Sequence, residues 1–272
     1  MRIRMHIVGV LALLLGSGAC VGTDVGNPGD EEAEVEMHLD GYDSSSDEQA
    51  LKLPENTKLE SAWVVTDEFQ FQEADACGDN DEPDRTEPLV VDLLAEEPSY
   101  EPPLLTTPAG EYCRLDVGLA AEGSSELPDD APEALDGHGL VIEGQRADQV
   151  DFRIEIALEE DVTLEGLDEG FELVEDRQSL IVGFAINDWL DESELNGLGQ
   201  PDGDVLVIDE TSHPDFVDDV SQAIPDSAGL FEDTNENGQL EEEERGNAVA
   251  RGAIDSSEGR DNVDAGNGDG GR

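Results

Sequence analysis

The sequence is poor in basic residues. Only 13 Lys and Arg stand against 70 Asp and Glu, and the formal net charge of the 272-residue chain is −57. Because a phosphate backbone must be neutralised by Lys and Arg, this balance excludes ordinary nucleic-acid binding. It also argues against docking on anionic lipid through a basic face. Aromatic residues make up only 4% of the chain, so its core must be mainly aliphatic.

The common catalytic signatures are also missing. The sequence contains no HExxH, G-x-S-x-G or Walker A motif. A GxGxxG match at 266–271 follows no strand pattern and opens no helix, so we interpret it as chance. Carboxylate pairs can serve glycosidases, but among 70 acidic residues such pairs are uninformative. Because no motif indicates catalysis, we expect a protein that is not an enzyme. The alternative, a hydrolase that uses acidic residues, would need a deep pocket containing a carboxylate of strongly raised pKa.

The apolar run Ile7–Leu15 is too short to cross a bilayer, which takes about 20 residues. It follows Arg2 and Arg4 and precedes small residues, and this pattern indicates a signal peptide over 1–19. The segment resembles bacterial lipoprotein precursors, which are cleaved just before a cysteine that receives lipid. In this sequence that cysteine is Cys20.

The lipoprotein resemblance departs at Ser17, where such signals usually carry Leu. Ordinary cleavage, leaving Cys20 as a plain thiol, therefore stays open. With Cys20 lipidated, acyl chains attach the protein to a membrane. Val21 is not the acidic residue that commonly retains lipoproteins at the inner membrane, so the resemblance implies a cell-envelope protein at the outer membrane.

The other two cysteines, Cys77 and Cys113, form an even pair if Cys20 carries lipid. Outside the cytoplasm an oxidising compartment favours a disulfide between them. Such a bond would stabilise the fold by about 3–4 kcal/mol in the chain-entropy description. Two unpaired thiols are the alternative. No Cys-x-x-Cys spacing indicates a metal or redox site.

Alternating apolar and polar residues predict strands with one buried face. Clear examples are Val35–Leu39, Leu115–Leu119 and Phe152–Leu158, and turn-rich stretches separate them. We therefore predict a mainly β protein: an antiparallel β-sandwich with a small C-terminal helical segment that carries a calcium-type loop. The expected organisation is an acidic tether over 20–32, a sandwich over 33–190, a strand–helix segment over 191–251 and a disordered acidic, Gly-rich tail over 252–272.

A helix is predicted to begin at Pro214, a residue favoured in the first helical turn. Its apolar stripe consists of Phe216, Val217, Val220 and Ile224, and Pro225 ends it.

Residues 233–244, DTNENGQLEEEE, match a twelve-residue calcium loop and resemble EF-hand and related extracellular loops. Gly238 occupies position 6, where the chain turns, and Leu240 at position 8 would tie the loop to a neighbour. Oxygen ligands suit a hard cation such as Ca²⁺. The candidate ligands at positions 1, 3, 5, 7, 9 and 12 are Asp233, Asn235, Asn237, Gln239 through its backbone carbonyl, Glu241 through water and Glu244 bidentately.

A solvated acidic turn is the alternative interpretation of this loop. Only Asp226–Glu232 separate Pro225 from the loop, so a full incoming EF helix is not expected. No second complete loop occurs in the sequence. A lone loop favours weak affinity, about 10⁻⁴–10⁻³ M, and a structural role rather than signalling.

Residues 22–28, GTDVGNP, resemble the GTEVGNP-type start that follows the lipidated cysteine in many Gram-negative lipoproteins. VVDLLAE at 90–96 and PAGEYCRLDVGL at 108–119 resemble a β-sandwich domain of unknown function found in exported lipoproteins. The resemblance implies a non-catalytic envelope role and transfers no functional residues. Glycan or protein partners in the envelope are the alternative function. Trp63 and Trp189 would mark a sugar-stacking face, although core packing is favoured.

Overall fold

A computed structural model describes residues 32–44, 57–74, 77, 88–95, 100–120, 127–158, 160–167, 170–201 and 203–252. The predicted signal peptide 1–19, Cys20, the tether up to residue 31 and the tail beyond Gly252 lie outside the described residues. Within the described ranges, no helix has the length and apolar character needed to cross a membrane.

The fold is mainly β, as the alternating pattern predicts. Thirteen strands are described, and their bounds are β1 Glu32–Tyr42, β2 Lys58–Glu73, β3 Leu89–Asp92, β4 Leu104–Pro108, β5 Gly110–Leu119, β6 Leu140–Gln145, β7 Asp151–Ile156, β8 Glu160–Gly166, β9 Phe171–Leu173, β10 Gln178–Ala185, β11 Val205–Ile208, β12 Ala228–Glu232 and β13 Ala248–Gly252.

The strands form one hydrogen-bonded sheet in the order β11-β7-β6-β2-β5-β8-β13-β12-β10-β1-β4, with β3 paired to β2 and β9 to β5. Strands at opposite ends of this order contribute to the same buried cluster, for example Leu206 and Ile208 from β11 and Leu105 from β4. The sheet therefore curls around one large core, and two smaller apolar clusters of the described residues are separate from it.

The expectation of a purely antiparallel sheet is wrong. Strand β1 pairs with β10 in parallel, with Val35 opposite Gln178, and β11 pairs with β7 in parallel, with Val205 opposite Asp151. The physical reason is that side-chain alternation reports which face of a strand is buried and carries no information about the direction of its neighbour.

The segment after residue 190 contributes to the same sheet as the strands before it. Strand β12 lies between β10 and β13, and β13 pairs in turn with β8. The edge strand β11 extends the other end of the sheet. The expected boundary between 33–190 and 191–251 therefore does not divide the sheet.

Three α-helices occur in the described part of the chain: α1 Glu192–Gly197, α2 Pro214–Asp226 and α3 Glu242–Arg245. Helix α2 confirms the predicted start at Pro214, and it buries the predicted stripe of Phe216, Val217, Val220 and Ile224. Its last residue is Asp226, one position beyond Pro225. Trp63 and Trp189 are both buried, so neither offers an exposed ring for sugar stacking.

Candidate metal-binding loop

The loop 233–244 connects two neighbouring antiparallel strands. Strand β12 ends at Glu232 and delivers the chain to Asp233, α3 covers the last loop positions, and β13 then returns beside β12. Strand β12 thus lies where an EF-hand has its incoming helix. The short spacing between Pro225 and the loop also argues against a full helix there. The loop is therefore anchored at its first residue by the sheet.

Asp233, the candidate ligand at position 1, is only 5% exposed. Its Oδ1 accepts a hydrogen bond from the Asn237 N–H (3.2 Å), and its Oδ2 accepts from the Gly238 N–H (2.8 Å). The Ser179 hydroxyl on β10 also donates to Oδ2 (2.9 Å). These bonds fold the first half of the loop around the carboxylate.

Glu244, the candidate ligand at position 12, is 3% exposed and closes the other end of the loop. Its Oε1 accepts from the backbone N–H and the hydroxyl of Thr234 (2.8 and 2.9 Å), and its Oε2 accepts from the Glu241 N–H (3.1 Å). The Glu241 side chain caps α3 in return, forming a capping box. Glu244 is thereby held beside the start of the loop.

The middle of the loop is exposed and curled by its own side chains. The Asn235 Oδ1 accepts from the Asn237 N–H (3.0 Å), and the Asn237 Oδ1 accepts from the Gln239 N–H (2.8 Å). The Asn237 amide also donates to Glu241 Oε1 (3.1 Å). Gly238 has a φ of +71°, a conformation that favours glycine. The sharp turn predicted at position 6 is therefore present.

Leu240, at position 8, is buried against the outer face of the sheet. It clusters with Ile181 of β10 and Phe231 of β12. Gly183 of β10 makes room for it, because a Cβ at that position would lie 2.6 Å from a Leu240 methyl carbon. The leucine therefore ties the loop to its neighbours, as the motif predicts.

The loop contains carboxylate, amide and backbone oxygens, which are the ligand type that a hard cation such as Ca²⁺ takes. Asp233 and Glu244 are buried carboxylates, and neither forms an ion pair with a basic side chain in the described part of the chain. Buried charges are normally paired or bound to metal. Among the described residues no group of three or more His, Cys, Asp or Glu side chains is placed to hold a metal. Amide and backbone oxygens would have to complete any shell at this loop.

Two side chains of β1, His38 and Asp40, also contact the loop, and the sequence did not single them out. Asp40 Oδ2 accepts from the Leu240 N–H (2.7 Å), and His38 lies against Gly238. Their alternation with Met37 and Leu39 indicated a solvated face, whereas His38 is 6% exposed. No local signal could have found them, because the contact depends on β10 bringing β1 next to β12.

Burial dominates the electrostatics of these two side chains. It raises the pKa of Asp40 to about 7, against the opposing effects of hydrogen bonds from Leu240 and Gly41 and of the Arg245 charge. Burial also lowers the pKa of His38, although the charges of Glu36 and Asp233 oppose this. Both shifts favour the neutral forms, which is the ordinary effect of removing a charged group from water.

Of the other predicted site residues, Cys77 and Cys113 are joined by a disulfide with Cα atoms 6.2 Å apart. The bond links the end of the β2 region to β5 and encloses a sequence separation of 36 residues. Cys113 therefore lies on a strand and Cys77 in a connecting segment. Cys20 falls outside the described residues.

No family model matches this sequence, and no curated protein matches it by sequence. Among solved structures, the chain is similar to MbnP from Methylosinus trichosporium, with a TM-score of 0.30 and 11% sequence identity over 64% of this chain and 80% of that one. A likeness this distant carries no argument about the loop or its chemistry.

Proposed function

We propose that this protein is a non-enzymatic, lipid-anchored component of the cell envelope that binds one Ca²⁺ through residues 233–244 in a structural or interaction role. The observation that carries the proposal is the pair of buried carboxylates, Asp233 and Glu244, held at the two ends of a twelve-residue loop without a basic partner among the described residues. A divalent cation offsets their charge.

The loop residues contribute different kinds of oxygen ligand to the proposed site. Asp233, Asn235 and Asn237 provide side-chain oxygens, Gln239 provides its backbone carbonyl, and Glu241 and Glu244 complete the set at positions 9 and 12. Calcium accepts six to eight such oxygens in flexible geometry. Anchoring of both loop ends by the sheet and by α3 limits the ordering that binding requires.

The anchor follows from Cys20. Lipid on this residue places the folded sheet at a membrane through the 20–32 tether, and the resemblance to exported lipoproteins favours the outer membrane. Detergent phase partition of the full chain beside Cys20→Ser tests this part. We expect the wild type in the detergent phase and the variant in the aqueous phase; equal partition contradicts lipidation.

Calorimetric titration of the full chain with Ca²⁺ tests the loop. The buffer contains molar salt, which shortens the screening length to about 3 Å and suppresses diffuse cation condensation. We expect one saturable site that is lost in Asp233→Ala and Glu244→Gln. Glu243→Gln is the matched control, because it removes the same charge from an exposed neighbour in α3.

The opposite result is equally clear. Diffuse heat that Glu243→Gln and Glu244→Gln lower alike contradicts the calcium site and indicates polyanion condensation. The protein would then be interpreted as an envelope module for glycan or protein partners. Burial of Trp63 and Trp189 removes the aromatic support for a glycan face, so calcium binding is the better-supported function.

A further inference from the structure

Asp40 controls the direction of a backbone carbonyl in the loop. Its Oδ2 accepts the Leu240 N–H at 2.7 Å, across 200 residues of sequence. That N–H belongs to the same peptide group as the Gln239 carbonyl. Because a trans peptide is planar, with N–H and C=O pointing in opposite directions, the bond to Asp40 turns the Gln239 oxygen away from β1. Gln239 is the position that offers its carbonyl to the cation in the proposed function.

The contact continues along one face of β1. His38, Asp40 and Tyr42 point to the same side of the strand, since side chains alternate between faces. His38 packs against Gly238, where a Cβ would lie 2.5 Å from the His38 Nδ1. Tyr42 lies under the Arg245 guanidinium, 5.4 Å from its ring centroid, and packs edge-on against Phe231. The loop and α3 together cover the second half of the strand.

One buried polar atom in this contact between β1 and the loop lacks a hydrogen bond to the described residues. The His38 Nδ1 is buried and has no hydrogen-bond partner among the described residues, and it faces the turn at position 6 of the loop. The buried Asp233 lies in the same loop, and the partly exposed Asp40 contacts its Leu240 N–H. A buried polar atom without a partner is costly. The contact between β1 and the loop therefore includes one polar atom that the described residues leave unsatisfied.

We propose that Asp40 is the positioning residue that holds the loop in its calcium-binding form. Bound Ca²⁺ in turn fastens β1 to the C-terminal part of the sheet. This inference rests on the proposed function. The coupling must be reciprocal, because two linked equilibria stabilise each other by the same factor. Strand β1 is the first described strand after the predicted tether, so metal occupancy sets how firmly the tethered end of the fold is attached.

Calcium affinity is the first readout. Asp40→Ala removes the acceptor and is expected to weaken Ca²⁺ binding by about 10–100-fold, the usual effect of losing a group that orients a metal ligand. Asp40→Asn keeps an oxygen acceptor and should restore most of the affinity. Asp209→Ala is the matched control, because Asp209 also accepts from backbone N–H groups, those of Thr211 and Ser212, just after β11 at the other end of the sheet.

Hydrogen exchange of the full chain, with Ca²⁺, with Mg²⁺ and with chelator, is the second readout. Amides of residues 37–42 should exchange about tenfold more slowly with Ca²⁺ in the wild type, with no such effect in Asp40→Ala. Amides of β6 and β7 provide the internal reference. The wild-type comparison needs no variant, so it stands even where Asp40→Ala fails to fold.

The outcomes separate the two proposals. Absence of saturable Ca²⁺ binding in the wild type contradicts the proposed function itself. Saturable binding with unchanged exchange at 37–42 overturns the fastening of β1 by Ca²⁺ and leaves the calcium site intact. Asp40→Ala that binds Ca²⁺ as tightly as Asp209→Ala overturns the positioning role of Asp40.

Discussion

Arg146 and the carboxylates of the 233–244 loop are all buried, but their charges are partnered in different ways. Arg146 is 2% exposed, and its guanidinium contacts the Asp148 carboxylate twice, at 2.6 and 3.1 Å. The same side chain donates to the carbonyls of Leu195 and Leu198, where α1 ends. Among the described residues, Asp233 and Glu244 accept only from backbone N–H groups and hydroxyls, and from no basic side chain.

The difference shows how a strongly acidic chain uses few basic residues. Arg146 neutralises an aspartate and satisfies the last carbonyls of a helix, so that region is complete with its own residues. The loop holds two buried carboxylates, and in the calcium proposal a cation from solution offsets their charge. The two regions should therefore respond differently to substitution, metal and pH.

Substitution of Arg146 should have the largest effect on the free energy of unfolding. Arg146→Leu leaves the helix-end carbonyls of Leu195 and Leu198 without their donor and is expected to lower the free energy of unfolding by about 1–3 kcal/mol for each carbonyl, independently of Ca²⁺. Thermal unfolding measures this. Arg153→Leu is the control, because its ion pairs are partly exposed and should contribute no more than about 1 kcal/mol. Equal losses in the two variants would contradict the special position of Arg146.

Under the calcium proposal, Ca²⁺ should stabilise the loop region. At about 10 mM Ca²⁺ and an affinity of 10⁻⁴–10⁻³ M, mass action stabilises the fold by about 1.4–2.7 kcal/mol. Thermal unfolding with and without Ca²⁺ measures the gain. Glu244→Gln should abolish the gain and Glu243→Gln should keep it; a gain of the same size in both would be a general salt effect.

Removing one donor from the loop should have a smaller effect that depends on metal. Thr234→Val deletes the hydroxyl that donates to Glu244 Oε1 and should cost about 1.5 kcal/mol in chelator, the low end for a hydrogen bond to a charged group. Saturating Ca²⁺ should reduce that cost, because the cation also stabilises Glu244. Urea unfolding in both conditions measures the difference, and a cost that is the same in both would argue that no cation reaches Glu244.

The smallest expected effect is on acid unfolding. Arg146 lowers the pKa of Asp148 to about 2, chiefly through its hydrogen bonds. Because the folded-state pKa lies below the ordinary value of 3.8, this contribution to stability is present above about pH 4 and is lost as the pH falls towards 2. Asp148→Asn should therefore flatten that part of the stability profile. An unchanged slope between pH 4 and pH 2 would contradict the pairing.

Local patterns of the sequence predicted local features well. The alternation of β1, the stripe of α2, the turn at Gly238 and the buried Leu240 all depend on residues close together in sequence. Each follows from periodicity or from one glycine, which act within a few residues.

Features that depend on strand order could not be predicted. Asp40 reaches Leu240 only because β10 lies between β1 and β12, and the two parallel pairs follow from that same long-range arrangement. The burial of Arg146 could not be predicted for the same reason, because it depends on contact with α1, nearly fifty residues later in the sequence. Side-chain period gives the buried face of a strand and leaves its neighbours undetermined.

Diffraction at a wavelength where calcium scatters anomalously, from crystals of the full chain grown with Ca²⁺, tests the central claim most directly. The account predicts one anomalous peak at the loop, with oxygens of Asp233, Asn235, Asn237 and Glu244 and the Gln239 carbonyl at about 2.3–2.6 Å. A loop without a peak in crystals saturated with Ca²⁺, or weak peaks scattered over surface carboxylates, would contradict it.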